Sequence, residues 1–138
     1  MSLLKVIERI EQVAMEQPAV NSVVPNDVFR LNTLQDAKYG VFAWTQGNHT
    51  AQVDSDTITY SFTLFYVDRL TPDQSNELEV QSVGMSVLHN VLQKLSLEMG
   101  VNQGTYTTFN QRFTDECAGV FCSVQLVVPV DDTCEDDY

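Results

Sequence analysis

The sequence contains few of the groups that nucleic-acid-binding and membrane proteins use. Only 7 Lys and Arg residues stand against 19 Asp and Glu residues, which gives a net charge of −12 at pH 7. Tight binding of DNA or RNA is therefore disfavoured, because no basic patch can neutralise phosphates. No apolar run approaches the roughly 20 residues of a membrane helix, and the amphipathic N-terminus lacks the apolar core of a signal peptide. We expect a soluble protein made in a cytoplasm.

The chain is also poor in cysteine. Cys117, Cys122 and Cys134 are odd in number and widely spaced, so they predict neither a disulfide framework nor a zinc site. Asp115 and Glu116 precede Cys117, and two acids oppose the formation of a reactive thiolate. We interpret Asp115–Gly119 as a turn, and all three cysteines as ordinary reduced residues.

Motifs for catalysis and cofactor binding are absent. His49 and His89 are the two histidines, and neither has the neighbours that metal-binding spacings require. His89 borders an apolar helical stripe, which predicts a core or boundary residue. No glycine-rich phosphate loop or nucleophile motif occurs. The sequence therefore predicts a protein that is not an enzyme and needs no cofactor or metal.

A long strand organises the chain. Residues from Asp56 to Asp68 alternate between apolar and polar, which is typical of a half-buried β-strand. At about 3.3 Å per residue, this strand would extend for roughly 40 Å. Its apolar face consists of Ile58, Tyr60, Phe62, Leu64 and Tyr66.

A helix is predicted directly after this strand. Thr71 is placed to cap it, Pro72 suits its first position, and Gln74 can complete a capping box. Apolar residues then recur at spacings of three and four, which indicates one buried stripe. The stripe consists of Val80, Val83, Gly84, Val87, Leu88, Val91, Leu92 and Leu95.

The remaining patterns complete an α+β domain over residues 1–130. We predict a five-stranded, largely antiparallel sheet with two long helices packed on it, in the order α-β-β-β-α-β-β. The other predicted elements are a helix at Ser2–Gln17, a connector at Ala19–Asp27, strands at Asp27–Asn32 and Tyr39–Thr45, and a final hairpin of Thr105–Phe113 and Ala118–Val130.

Two segments are candidates for interaction. Residues Gln46–Ser55 form a polar loop that is longer than common hairpin loops, and such loops often carry function. The alternative is a flexible loop that has no role. Its candidate interface residues are Gln46, Gly47, Asn48, His49 and Asp54. The second candidate is a disordered acidic tail over residues 131–138, with Asp131, Asp132, Glu135, Asp136 and Asp137.

The order of elements resembles that of the tail-terminator, or tail-completion, proteins of lambda-type long-tailed phages and their prophage relatives. The resemblance covers residues 1–130. It is carried by the first helix, the loop Gln46–Ser55, the strand from Asp56, the helix from Thr71 and the hairpin that ends at Gly119–Pro129. No invariant motif takes part.

This resemblance implies a structural role in the virion tail, with assembly in the bacterial host cytoplasm. Six copies would form a ring that caps the tail tube protein and receives the head-tail connector or stopper protein. DNA would pass through without specific binding, which agrees with an acidic chain. The alternatives are another head-tail connector, neck or minor tail protein of this fold, a regulatory adaptor that acts through its acidic tail, and a small-ligand-binding domain.

Overall fold

The computed structural model describes residues 2–24, 40–71, 73, 75–112 and 116–130. Within these residues, two helices accompany a mixed sheet of six strands, which confirms the α+β prediction. The elements are α1 (Leu3–Met15), β1 (Ser22–Val24), β2 (Val41–Gln46), β3 (Thr50–Ala51), β4 (Thr57–Arg69), α2 (Glu77–Leu95), β5 (Gly100–Arg112) and β6 (Glu116–Pro129).

Strand β4 occupies the centre of the sheet, whose order is β1-β2-β4-β6-β5. It pairs with β6 along its whole length, from Thr57 opposite Pro129 to Arg69 opposite Cys117. On its other side, β2 covers Phe62–Val67 and β3 covers only Ile58 and Thr59. The pair of β1 and β2 is parallel, and the other pairs are antiparallel. The long predicted strand is therefore the element on which the sheet is built.

Both helices lie on one face of the sheet, which we call the covered face. The predicted alternation of β4 is confirmed, because Tyr60, Phe62, Leu64 and Tyr66 are all buried in the main core. The predicted stripe of α2 packs against them, with seven of its residues buried. From β6 the core receives the alternating residues Val120, Cys122, Val124, Leu126 and Val128.

Helix α2 approaches the sheet most closely at Gly84. A Cβ atom at Gly84 would lie 3.0 Å from side-chain atoms of both Tyr66 and Val120, which is tighter than ordinary van der Waals contact. The glycine therefore fixes the depth at which the helix sits on the sheet. Helix α1 is fastened separately, because Trp44 Nε1 donates to Glu11 Oε2 at 2.8 Å.

The predicted start of α2 at Thr71 is wrong. The helix begins at Glu77, with Asn76 at the N-cap position and no side-chain capping bond. Thr71 Oγ1 donates to Asp73 at 2.7 Å, while Asn76 accepts from Thr71 N and donates to the Arg69 carbonyl. These polar groups form a turn that returns to the end of β4, so they compete with helix formation. Pro72 and Gln74 lie outside the described residues.

Other boundaries also differ from the predictions. The connector Ala19–Asp27 contains β1, and the glycines Gly100 and Gly104 lie within β5 rather than before it. Cys117–Gly119 belong to β6 rather than to a turn. His89 is exposed, not buried, and its Nδ1 lies 3.2 Å from the Tyr106 hydroxyl. The predicted strand at Asp27–Asn32 and the tail 131–138 lie outside the described residues.

Candidate functional site

The predicted loop Gln46–Ser55 is held against β4 by a ladder that includes a side chain. Gly47 N donates to the Ser61 carbonyl at 2.7 Å, and Ser61 N donates to His49 Nδ1 at 3.0 Å. The imidazole thus replaces a backbone acceptor at the point where the chain bulges between β2 and β3. The loop predicted at Gln46–Ser55 is therefore wrong for Gln46, Thr50 and Ala51, which belong to β2 and β3.

The histidine ring is fixed from both sides. Its Nε2 lies 2.9 Å from Gln46 Oε1, and since Nδ1 accepts from Ser61, Nε2 carries the proton and donates. The ring also contacts Tyr60 and Phe62, with centroid distances of 5.4 and 5.6 Å. His49 therefore holds the loop against β4, with a hydrogen-bond partner for each ring nitrogen.

Beyond His49, β3 and the start of β4 form a hairpin. Ser55 N donates to the Gln52 carbonyl at 3.0 Å, which closes a turn through Val53 and Asp54. Val53 is fully exposed at the tip, and Val130 N ties the base of the hairpin to the Asp56 carbonyl. Single exposed apolar side chains are common, and it is the position of Val53 at the hairpin tip that makes it a candidate for contact with another molecule.

The structure separates the predicted interface residues into two groups. Gln46, Gly47 and His49 lie together beside Ser61, where they hold the ladder. Asp54 lies apart, exposed in the hairpin turn. Asn48 is exposed in the bulge. The acidic candidates Asp131, Asp132, Glu135, Asp136 and Asp137 all lie outside the described residues.

A groove borders the loop at Gly47, on the face of the sheet opposite the helices. Its volume is about 420 Å³, and Ser61 and Thr63 of β4 and Ser123 and Gln125 of β6 lie along it. Gly47, Asn102, Gln103 and Gly104 complete its polar rim. We call these eight residues the polar sheet face.

None of these eight residues carries a charge, and the pattern extends through the sheet. The strand segments Val41–Gln46, Thr57–Val67, Gly100–Gln111 and Cys117–Pro129 contain no Asp, Glu, Lys or Arg, although 19% of the chain is charged. The charged residues of the strands are confined to one end of the sheet, where Asp68, Arg69, Arg112 and Glu116 lie. Charged residues are depleted in the cores of protein interfaces.

Toward that charged end, the same face becomes apolar. Phe121 lies between Phe65 and Phe109, at centroid distances of 5.7 and 6.1 Å. Nearby, Val24, Val41, Ala43, Val67 and Cys117 form a second buried cluster. The open groove makes its part of the face a candidate contact surface, whereas the apolar cluster is already buried.

Two titratable groups on the covered face hold their protons tightly. Burial raises the pKa of the Cys122 thiol, chiefly by desolvating the thiolate, so the sulfur stays protonated and weakly nucleophilic. Burial, with the charge of Asp68, raises the pKa of Tyr66 to about 12. Across the described ranges, no group of three or more His, Cys, Asp or Glu residues is arranged to hold a metal ion.

Sequence reasoning missed the polar sheet face as a site. The alternation of apolar and polar residues in β4 places Thr59, Ser61 and Thr63 on the face away from the helices. This pattern alone does not show that the face is uncharged. Counting charged residues strand by strand would have revealed the surface, because their absence is visible in the sequence.

Comparisons with known proteins leave the chain unassigned to a family. No protein-family model matches it, and no curated protein is significantly similar to it. Among the helices in the described part of the chain, none is long and apolar enough to cross a membrane.

Proposed function

We propose that this protein is a structural subunit of a phage or prophage tail, which acts as a tail terminator. Copies of the chain would form a ring, expected to be a hexamer, that caps the tail tube and presents the surface for the head-tail connector or stopper protein. It would act by shape, without catalysis or a cofactor, in the virion tail after assembly in the bacterial host cytoplasm.

The observation that carries the proposal is the charge-free polar sheet face in an acidic protein. Each copy has a net charge of −12, so identical copies repel one another over most of their surfaces. They can approach closely only where no charge must be desolvated or opposed. The polar sheet face, with its hydroxyl and amide groups, satisfies this requirement.

The ordered hairpin gives this surface an element that can reach another molecule. Gly47 lines the groove and also starts the segment that leads to Val53. A contact between the hairpin of one copy and a different surface of the next is heterologous, and such contacts close into a ring when the rotation divides a full circle. The acidic balance also supports passage of DNA without binding.

The experiment combines the size of the particle with binding to tail tubes. Electron micrographs of the purified protein should show rings, and these rings should bind isolated tail tubes. We expect Val53→Asp to leave the fold intact and to abolish tube binding, whereas Gln93→Asp, a change of the same charge on an exposed position of α2, should not. Binding of tubes by the Val53→Asp protein would remove the hairpin from the proposal, and a protein without rings would contradict it.

A second candidate remains within the same class. A head-tail connector, neck or minor tail protein would use the same neutral surface, and only the identity of the bound partner separates these roles. A small-ligand-binding domain is a weaker candidate than a tail protein, because the groove contains no charged group that could orient a small molecule. Rings that bind the connector but not the tube would favour this second candidate.

A further inference from the structure

The outer edge of β5 is a second, independent feature of the sheet. In the described part of the chain, β5 ends the sheet and pairs with β6 alone. Exposed edges invite pairing with other strands, and proteins usually protect them with lysine, proline, a bulge or a short length. Strand β5 is 13 residues long, and its residues from Gly100 to Gln111 include neither charge nor proline.

One protective device is present, and it divides the edge. The register of β5 and β6 shifts between Gln103 and Tyr106, and such a bulge twists an edge away from pairing. From Tyr106 to Gln111 the pairing with β6 is regular. This second half of β5 is therefore the part of the edge that can accept a strand.

The strand registers show which backbone groups point outward there. Val130 N donates to the Asp56 carbonyl, and this pair continues the register of β4 with β6. Because the bonding direction alternates along an antiparallel ladder, even-numbered residues of β6 bond to β4 and odd-numbered residues bond to β5. Phe109 is paired with Gly119 and so bonds to β6, whereas Thr108 and Asn110 present their N–H and C=O to the open side.

Helix α2 forms a wall along this edge. Glu77, Gln81, Met85 and His89 recur every four residues, so they form one row on the helix. Three of them contact β5, through Asn110, Phe109 and Tyr106. The row therefore lies above the edge strand.

Two exposed apolar side chains stand in this wall. Met85 belongs to the row and is 43% exposed, and Leu78, which lies seven residues earlier on the same side of α2, is 81% exposed. A strand added to β5 would lie about 4.8 Å farther out. Every second side chain of that strand would then point toward Leu78 and Met85.

We propose that the groove between the β5 edge and α2 binds an extended segment of a different protein, with apolar side chains at alternate positions and a net positive charge. The backbone edge requires a β-strand, and Leu78 and Met85 require the apolar positions. The positive charge follows from Glu77, which accepts from Asn110 Nδ2 at one end of the groove, and from the net charge of −12. A second copy of the chain would bring the same negative charge. This inference does not depend on ring formation.

The probe is a labelled, end-blocked peptide of alternating valine and lysine, whose binding to the full-length protein is followed by fluorescence anisotropy. A peptide with N-methyl groups on alternate backbone amides is the control for strand pairing, and a valine-glutamate peptide is the control for charge. We expect both controls to bind at least roughly tenfold more weakly. Equal binding of the N-methylated peptide, or no binding of the first peptide, would overturn the proposal.

Protein variants locate the site. The double variant Leu78→Ser, Met85→Ser should weaken binding of the valine-lysine peptide roughly tenfold or more, while Leu4→Ser, Met15→Ser, a matched pair on α1 with 63% and 53% exposure, should not. Thr108→Pro removes an outward N–H and should also weaken binding, with Thr108→Ala as its control. Equal effects of the two double variants would contradict the proposal.

The mass of each variant in solution distinguishes this site from the copy-to-copy contact. We expect the Thr108→Pro protein and the Leu78→Ser, Met85→Ser protein each to have the same mass in solution as the unsubstituted protein. A fall to the monomer mass on either change would assign the β5 edge to contacts between copies and overturn the proposal of a different partner.

Discussion

The covered face and the polar sheet face are made from alternate residues of the same strands, yet they are held to different requirements. Leu64 is fully buried beneath the helices, whereas its neighbour Thr63 lines an open groove. The first residue is constrained by packing and the second by the absence of charge. This comparison teaches that one strand can specify the fold with one set of side chains and leave the other set to contacts outside the chain.

The largest expected effect separates the two faces in stability. We expect Leu64→Ala to lower the free energy of unfolding by about 2–5 kcal/mol, because it leaves a cavity in the main core. Thr63→Ala should change it by less than about 0.5 kcal/mol. Urea unfolding of both variants measures the difference, and equal losses would show that the polar sheet face is also part of the core.

Gly119 should be an exception to this difference in stability between the two faces. It lies on the face opposite the helices, but an added Cβ would meet the Tyr66 carbonyl oxygen and would lie 2.8 Å from the Phe109 ring. We expect Gly119→Ala to cost about 1–3 kcal/mol, because backbone atoms must shift. Gly104→Ala, which adds a Cβ 3.2 Å from the Ser123 carbonyl on the same face, is the control and should cost less in thermal or urea unfolding.

A smaller effect, on the covered side, depends on pH. The pKa of Tyr66 is about 12 in the folded protein and about 10 in an unfolded chain. The folded state therefore holds this proton more tightly, so its contribution to stability is complete below pH 10 and is lost as the pH rises toward 12. Tyr66→Phe should reduce this alkaline loss and cost about 0.5–1.5 kcal/mol at neutral pH, because the hydroxyl no longer donates its proton to the Ala19 carbonyl or the Asp68 carboxylate.

Urea midpoints at neutral and alkaline pH measure this effect. The matched control is Tyr106→Phe, because burial also raises the pKa of Tyr106 but this residue lies at the more exposed edge strand. An alkaline loss that is unchanged in Tyr66→Phe would show that other groups govern it.

The elements with strong periodicity were predictable, and those set by single side chains were not. The alternation of β4 and β6 and the stripe of α2 follow directly from burial on one face. The bulge at His49 could not be predicted, because an imidazole replaces a backbone acceptor there. The start of α2 was predicted too early because Thr71 and Asn76 bond within their own turn.

The candidate site was predictable only in part. Its loop was identified from length and polarity, but the order of the loop depends on contacts with Ser61, which lies 12 residues later than His49. The polar sheet face and the β5 edge depend on which strands become neighbours, and β5 is the last strand in the sheet although β6 is the last in the sequence. Single-sequence patterns do not determine that order.

The mass in solution of the protein and of one charged variant tests the central claim most directly. We predict that the protein forms a ring of several 15.5 kDa copies, and that Ser123→Glu, on the exposed polar sheet face, gives folded monomers with unfolding energies within about 0.5 kcal/mol of the original. Gln93→Glu on α2 should keep the ring. A monomeric unsubstituted protein, or an intact ring with Glu at position 123, would contradict the account.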